Sequence, residues 1–311
     1  MTSKQIKIGT RGSALALWQA NEIKRRLEEA HEGLSAELVI FKTRGDSILD
    51  RPLSEVGGKG LFTKELEDAL LEGEIQLAVH SLKDMPTALP DGLILGAIPI
   101  RGDIRDVLIY RQDEDFNKLS IIGTSSLRRA CLAKRRWSSA EITSIRGNVP
   151  TRMGRVHEVG DRRVDAVLLA MAGIIRLELN QEAGYEYLPL NPETWIPAVS
   201  QGALAIECNE KDEQTLALLK SLHHEDTARC VTAERAFLAG VEGDCRIPVG
   251  AFATVDGTKL RLKAFIGSPD GDKYLEGIAI GDESPQEIGQ ALAEELLNRG
   301  GREILADLRK A

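Results

Sequence analysis

The chain has 311 residues, of which 42% are hydrophobic and 28% are charged, a balance typical of a globular protein with a substantial core. Forty Lys and Arg residues against 48 Asp and Glu residues give a net charge of −8, and 4% of the residues are aromatic, which argues against nucleic-acid binding. No apolar run reaches the ~20 residues of a membrane helix, no secretory signal follows the first lysines, and the four cysteines form no C-x-x-C pair. We therefore expect a cytoplasmic, thiol-reduced protein with no membrane segment.

Short apolar runs alternate with amphipathic segments over the first two thirds of the chain, which favours an α/β fold. A helix is predicted to begin after Ser13, its expected N-cap, because apolar residues recur on one face from Leu15 to Leu27. Further helices are predicted at Leu61–Leu71 and after Thr124–Ser126. The predicted strands are Ile6–Ile8, Leu38–Phe41, Leu77–His80, Leu93–Ile98, Val107–Tyr110, Ser120–Gly123, Val164–Met171 and Ala203–Cys208.

The C-terminal part of the chain has a different pattern. Two predicted helices, Asp212–Leu222 and Asp226–Val241, precede a predicted hairpin of Val249–Val255 and Leu260–Ile266. A final helix is predicted to begin after Ser284, which is followed three residues later by a glutamate. We therefore expect two α/β lobes and a small C-terminal α+β domain, with the strand at 203–208 returning to the first lobe. The expected boundaries are 1–99 with 200–218 for the first lobe, 100–199 for the second and 219–311 for the last domain.

Positive charge is concentrated in one segment of this acidic chain. Between Arg101 and Arg176 there are 13 Arg and 2 Lys against 9 acidic residues, a local balance of +6. Guanidinium groups present a planar fork of donors that fits a carboxylate or phosphate, so this segment indicates recognition of a discrete anion. The alternative is that many of these arginines are solvated charges on helix faces.

The segment from Gly123 to Arg129 is the most informative of this region. A strand that runs into a helix start supplies free backbone N–H groups and the positive end of the helix dipole. Arg128 and Arg129 in the first turn are unfavourable there unless an anion binds, so we expect them to bind one and to be locally destabilising when empty. The alternative is an ordinary Thr/Ser cap with both arginines in water. The same reasoning applies more weakly to Arg11 and to Arg146 with Arg152.

Two further residues are candidates for chemistry. Asp84 follows a strand of apolar interior, where open α/β folds place ligands, and its carboxylate could move protons or stabilise a cation; alternatively it caps a turn ahead of Pro86. Cys245 lies in a loop beside Arg246, where a thiol can be nucleophilic, although most free cysteines are inert. We expect no metal site, because the adjacent His223 and His224 cannot face one ligand point on a helix.

Seven segments in collinear order together resemble the porphobilinogen deaminase family. The resemblance spans essentially the whole chain, and several of the motifs are long. It implies two lobes of type II periplasmic-binding-protein architecture and a third domain that carries a dipyrromethane cofactor as a thioether on Cys245. The segments are Thr10–Ala16, Val56–Phe62, His80–Asp84, Gly123–Arg129, Arg146–Asn148, Pro197–Gly202 and Cys245–Pro248.

The resemblance also implies an activity and a role for each matching residue. Four porphobilinogen molecules would condense with loss of ammonia onto the dipyrromethane primer, and hydrolysis would release hydroxymethylbilane from a monomeric enzyme. Asp84 would accept pyrrole N–H bonds and stabilise the cationic azafulvene that forms when ammonia leaves. The cofactor would be held by Cys245, Lys83, Ser126, Arg128 and Arg129, and the substrate by Arg11, Ser13, Thr124, Ser125, Arg146, Arg152, Arg176, Gln201 and Gly202.

Two positions depart from the family pattern. Asp244 and Ser200 stand where the family usually has glycine. An acidic neighbour can raise the thiol pKa of Cys245, and a side chain at 200 puts the local backbone geometry in question.

The competing hypothesis is a cytosolic two-lobed binding protein that clamps an anionic small molecule without chemistry. The matches at Lys83, Asp84 and Cys245 favour the enzyme.

Overall fold

The computed structural model describes residues 4–43, 45, 63–242 and 247–310. The motif at 56–62 and the segment from Gly243 to Arg246, with Cys245, lie outside these residues. The strands are β1 (Lys4–Arg11), β2 (Leu34–Phe41), β3 (Leu77–Ser81), β4 (Leu93–Ala97), β5 (Asp106–Arg111), β6 (Ile121–Gly123), β7 (Glu141–Thr143), β8 (Ala166–Ala170), β9 (Tyr185–Pro189), β10 (Leu204–Asn209), β11 (Val249–Asp256), β12 (Lys259–Gly267) and β13 (Tyr274–Gly281). The α-helices are α1 (Ala14–Ala30), α2 (Lys64–Leu71), α3 (Leu127–Arg136), α4 (Val149–Gly154), α5 (Met171–Arg176), α6 (Glu213–Leu219), α7 (Glu225–Gly240), α8 (Pro285–Leu296) and α9 (Arg302–Lys310).

The chain divides into two compact units, of which the first comprises Met1–Gly102 and Ala203–Ala228. Its sheet has the order β2-β1-β3-β10-β4, with β1 parallel to β2 and β3 and with β10 antiparallel to β3 and β4. The predicted return of the strand at 203–208 to this lobe is therefore confirmed. α1 packs on the sheet through Ile23 and Leu27, which are fully buried, and Ser13 caps it as predicted by accepting the Ala16 N–H at 3.3 Å.

The second unit comprises Asp103–Gly202 and Arg229–Ala311 and contains the other two sheets. In the order β7-β6-β8-β5-β9, β6 is parallel to β7 and β8, whereas β5 is antiparallel to β8 and β9. Both five-stranded sheets thus contain one strand, β10 or β5, that is inserted antiparallel between its two neighbours. This shared arrangement confirms the two α/β lobes that the sequence predicts.

The last sheet is the antiparallel meander β11-β12-β13, which forms the small α+β domain. Phe237 of α7 and Leu292 of α8 pack with Leu262 of β12 in a single core. The predicted hairpin and the capping box of Ser284 with Glu287 are present. β13 was not predicted, because the residues that face solvent on this edge strand include the apolar Ile278 and Ile280. The sequence therefore lacks the alternation of apolar and polar residues that indicates a half-buried strand.

Several predicted boundaries are corrected. The strand predicted at Val164–Met171 is shorter, because Met171 already begins α5 and donates its N–H to the Arg105 carbonyl at 3.0 Å. The helix predicted at Asp212–Leu222 ends at Leu219. The short edge strands β7 and β9 were also missed, since three- and five-residue strands with partly exposed side chains give little periodic signal.

Candidate functional site

A buried carboxylate gathers three of the predicted site residues in the second unit. Asp106 begins β5 and is fully buried. Its Oδ2 lies 2.8 Å from Nη2 of Arg128, and its Oδ1 accepts hydrogen bonds from Nη2 of Arg129 at 2.8 Å and Nε at 3.1 Å. Gln201 and Trp195 complete the group, since Nε2 of Gln201 donates to Oδ1 and the Trp195 indole donates to Oδ2, each at 2.8 Å. We call these five residues the Asp106 cluster.

The two guanidinium groups of the cluster are also held by the backbone. Nη1 of Arg128 donates to the Ile196 carbonyl, and Nη1 of Arg129 donates to the Leu168 carbonyl, both at 2.9 Å. Both arginines are less than a tenth exposed. The cluster therefore has a fixed geometry, with two positive charges against one negative charge.

The electrostatics of the cluster follow from this arrangement. Burial by itself would raise the pKa of Asp106, but the charges of Arg128 and Arg129 outweigh it and hold the pKa well below its usual range. Burial lowers the pKa of Arg128, and the Asp106 carboxylate opposes that effect. The carboxylate is ionised at neutral pH, so one positive charge of the cluster stays uncompensated.

One expectation about this pair is wrong. The sequence predicted that Arg128 and Arg129 are locally destabilising at the start of α3 until an external anion arrives. Asp106, some twenty residues earlier in the chain, supplies a carboxylate from within the protein. The penalty for a cation near a helix N-terminus is a surface effect, and both cations here are buried and paired with Asp106. Whether the pair also holds a ligand stays a prediction.

The start of α3 is capped as the sequence suggested. The side chain of Ser126 accepts the N–H of Arg129 at 3.4 Å, and the side chain of Thr124 accepts the N–H of Ser126 at 3.1 Å. The Ser125 hydroxyl contacts the Ser144 hydroxyl at 2.9 Å and donates to the Ile145 carbonyl. These three predicted residues thus shape the helix start and its neighbouring loop.

The loop after β7 and the helix α4 that follows it carry two more of the predicted arginines. Nε of Arg152 donates to the Gly147 carbonyl at 2.7 Å, and Asn148 caps α4 by accepting the Thr151 N–H at 3.0 Å. Gly147 has φ of +107°, and a Cβ there would lie 2.7 Å from a Thr151 carbon. The tight turn therefore requires glycine. Arg146 is half-buried beside this turn.

The turn at 200–202 is held from three sides. The Ser200 N–H donates to Glu234 at 2.7 Å, Gln201 reaches Asp106, and Nη2 of Arg176 donates to the Gly202 carbonyl at 2.6 Å. Ser200 has φ of +60°, which is the left-handed region that favours glycine, so its departure from the family pattern carries backbone strain. Three predicted residues, Arg176, Gln201 and Gly202, therefore meet other parts of the second unit at this turn.

The remaining predicted residues lie in the first unit. Arg11 ends β1 and Ser13 caps α1 directly after it. Lys83 and Asp84 are exposed and lie in the short 3-10 helix Leu82–Asp84 that follows β3. Within the described ranges the Asp84 carboxylate accepts no hydrogen bond, so it is not the cap of the turn before Pro86. It is available to a ligand.

Sequence reasoning missed four residues of these arrangements. Asp106, Trp195 and Glu234 are buried polar groups that bind the predicted site residues, and Gln19 donates from Nε2 to the Ser81 hydroxyl at 2.9 Å. The sequence contained a signal for Gln19 and Asp106, namely a polar residue in an apolar context. Gln19 is a polar residue on the apolar face of α1, and Asp106 directly precedes a fully apolar strand.

The three cysteines among the described residues lie in the interior. Cys131, Cys208 and Cys230 are buried. Burial raises the pKa of Cys131 to about 12 and that of Cys208 to about 11, so these two groups are not thiolates at neutral pH. The described residues include no group of three or more His, Cys, Asp or Glu side chains that could hold a metal ion.

The fold defines a protein of two α/β lobes with a small α+β domain, and the site contains a buried cluster of two arginines and one carboxylate. Comparison with protein families specifies this further. Residues 6–217 match the model of the porphobilinogen deaminase dipyrromethane cofactor-binding domain, and residues 228–298 match the C-terminal domain of the same enzyme. The chain belongs to the porphobilinogen deaminase family.

The activity and cofactor follow from the family. The chain is a hydroxymethylbilane synthase, a transferase that polymerises porphobilinogen in tetrapyrrole synthesis, and its cofactor is dipyrromethane. The expected fold, activity and cofactor are thus confirmed.

The chain also matches solved structures at low sequence identity. The reduced OxyR regulatory domain from Pseudomonas aeruginosa is 11% identical over 71% of this chain and 95% of its own, with a TM-score of 0.42. An ancestral cationic amino acid solute-binding protein is 12% identical over 70% of this chain and 88% of its own, also with a TM-score of 0.42. YhfZ from Shigella flexneri is 14% identical over 78% of this chain and 92% of its own, with a TM-score of 0.37.

Proposed function

We propose that this chain builds hydroxymethylbilane from four porphobilinogen molecules with Asp84 as the catalytic group and Cys245 as the thioether attachment point of dipyrromethane. The observation that carries the assignment of binding residues is the Asp106 cluster. Its uncompensated positive charge lies at the N-terminal end of α3. The arginine charge and the positive end of the helix dipole both favour binding of a carboxylate. Dipyrromethane and the growing pyrrole chain carry carboxylates on each ring, so the donor set fits the cofactor.

The binding roles divide between the cofactor and the substrate chain. Arg128 and Arg129 hold a cofactor carboxylate with their remaining N–H donors, and Ser126 fixes the helix start behind them. Lys83 supplies a further positive charge beside Asp84. The carboxylates of the substrate chain are bound or oriented by Arg11, Ser13, Thr124, Ser125, Arg146, Arg152, Arg176, Gln201 and Gly202.

Asp84 performs the chemistry in this proposal. Bound dipyrromethane supplies the nucleophilic α-carbon of its outer ring. The exposed Asp84 carboxylate accepts the pyrrole N–H, stabilises the positive charge that develops as ammonia leaves, and holds the proton that must be moved. Its availability, without a hydrogen bond from the described part of the chain, supports this role.

The wider organisation is proposed with the same boundaries that the sequence suggested. The lobes span 1–99 with 200–218 and 100–199, and the cofactor-carrying domain spans 219–311. The protein works as a cytoplasmic monomer without nucleic-acid or membrane partners. A net charge of −8 supports the absence of nucleic acid. No helix among the described residues is long and apolar enough to span a bilayer.

An intact-protein mass tests the proposal. The purified chain should be heavier than its sequence by a two-pyrrole adduct, which Cys245→Ser should abolish. Cys131→Ser, Cys208→Ser and Cys230→Ser are matched controls that should keep the adduct, because these thiols are buried. An active wild-type protein of unmodified mass would overturn the proposal.

A further inference from the structure

The Asp106 cluster has more internal contacts than two arginines need if they only bind an anion. One carboxylate receives contacts from both guanidinium groups, an indole and an amide, and it lies at the start of a buried strand. Asp106 carries no proposed contact with cofactor or substrate. Three of its partners, Arg128, Arg129 and Gln201, are residues with such a proposed contact.

We propose that Asp106 is a positioning residue that orients Arg128 and Arg129 and limits their cluster to one net positive charge, so that it takes a single carboxylate arm. This inference rests on the proposed function of the two arginines as cofactor-binding residues. It adds the reason why the two guanidinium groups face a ligand in one orientation and why one anionic group neutralises the cluster.

The orientation follows from the planar geometry of guanidinium. Each fork is fixed at two edges, by Asp106 on one side and by a backbone carbonyl, of Ile196 or Leu168, on the other. Two points of contact fix a planar group, and a guanidinium has five N–H donors. Each fork therefore keeps donors beyond those directed at the protein, and Asp106 determines where these donors point.

The charge limit follows from burial. Both arginines are less than a tenth exposed, so water screens their charges only weakly. Without Asp106 the cluster would carry two charges instead of one and would attract any small anion strongly. With Asp106, one carboxylate completes neutralisation.

Loading of the full-length chain with its cofactor tests the inference. Chains produced without porphobilinogen are mixed with it, and the fraction carrying the two-pyrrole adduct is followed by intact mass at increasing inorganic phosphate. Asp106→Asn raises the cluster charge to two, so the phosphate concentration that halves the loading rate should fall at least about tenfold. Asp106→Glu keeps the charge and displaces the carboxylate by one methylene, so loading should slow on the order of 10²-fold while phosphate sensitivity stays that of wild type.

Asp165→Asn is the matched control. Asp165 is also a buried carboxylate of this sheet, but it accepts the N–H groups of Ser120 and Ile121 at 2.7 and 2.9 Å and lies outside the cluster. Its variant should melt lower and still load at the wild-type rate. This separates a loss of stability from a loss of positioning.

Each outcome decides the inference. Wild-type loading and wild-type phosphate sensitivity in both Asp106 variants would overturn it, even if the variants melt lower. If Asp106→Asn does not fold, Asp106→Glu decides alone, since slow loading supports positioning and wild-type loading refutes it. Absence of the adduct from the wild-type chain is a different result, which overturns the proposed function and the inference with it.

Discussion

Replacing Ser200 by glycine should stabilise this protein. Ser200 has φ of +60°, its hydroxyl oxygen is buried, and that oxygen has no hydrogen-bond partner in the described part of the chain. The strained backbone is held by the bond from the Ser200 N–H to Glu234, which glycine keeps. Ser200→Gly therefore removes two unfavourable features and keeps the hydrogen bond to Glu234.

The magnitude can be estimated from these two features. A left-handed conformation costs a residue with a Cβ about 1–2 kcal/mol, and an unsatisfied buried hydroxyl costs about 1–3 kcal/mol. The greater unfolded-state entropy of glycine offsets about 0.4–1 kcal/mol of this gain. The free energy of unfolding should rise by at least about 1 kcal/mol. For a cooperative unit of about 150–250 residues, this corresponds to an increase of about 2–4 °C in Tm.

Differential scanning calorimetry of the transition that includes the second unit measures this change. Ser200→Ala is the matched control, because alanine removes the hydroxyl and retains the Cβ at positive φ. It should recover only the hydroxyl contribution and melt between wild type and Ser200→Gly. A lower Tm for Ser200→Gly than for wild type would refute the reasoning about backbone strain.

Three further predictions concern the ion pair and the carboxylates. Arg129→Leu should lower the free energy of unfolding by about 1.5–3 kcal/mol, because Asp106 loses its hydrogen bonds from Arg129 while Arg128 still compensates its charge; an unchanged urea midpoint would contradict this. Asp84→Asn should keep the wild-type Tm, since Asp84 is exposed, and should lose turnover on the order of 10²-fold; steady-state kinetics near wild type would remove Asp84 from the mechanism. The pKa of Asp106 is lowered by folding, so its contribution to stability is complete above its unfolded pKa of about 3.9 and is lost as pH falls below that value. The Tm difference between wild type and Asp106→Asn should be constant from about pH 7 to 5 and shrink below about pH 4, and a difference that grows in acid would show the opposite linkage.

Features that depend on neighbouring residues could be predicted from the sequence. The caps by Ser13 and Ser284 are satisfied by N–H groups three residues further on, so the pattern of a few residues determines them. The hairpin of β11 and β12 follows from two apolar runs joined by a short turn. The succession of strands and helices was readable for the same reason, and long collinear motifs identified the family.

Features that depend on distant residues required the tertiary structure. The sequence places Arg128 and Arg129 at a helix start but does not show that Asp106, on a strand inserted antiparallel into the sheet, lies against both of them. The sequence therefore could not show that the two arginines already have an anionic partner within the protein, because a helix dipole is a local property and an ion pair is a contact across the fold. Likewise, the motif indicated that Ser200 replaces glycine, but only the backbone angle and the bond to Glu234 show what that replacement costs and what holds it in place. Local chemistry specified which residues are present in the site, and the packing of distant strands decided which charges they meet.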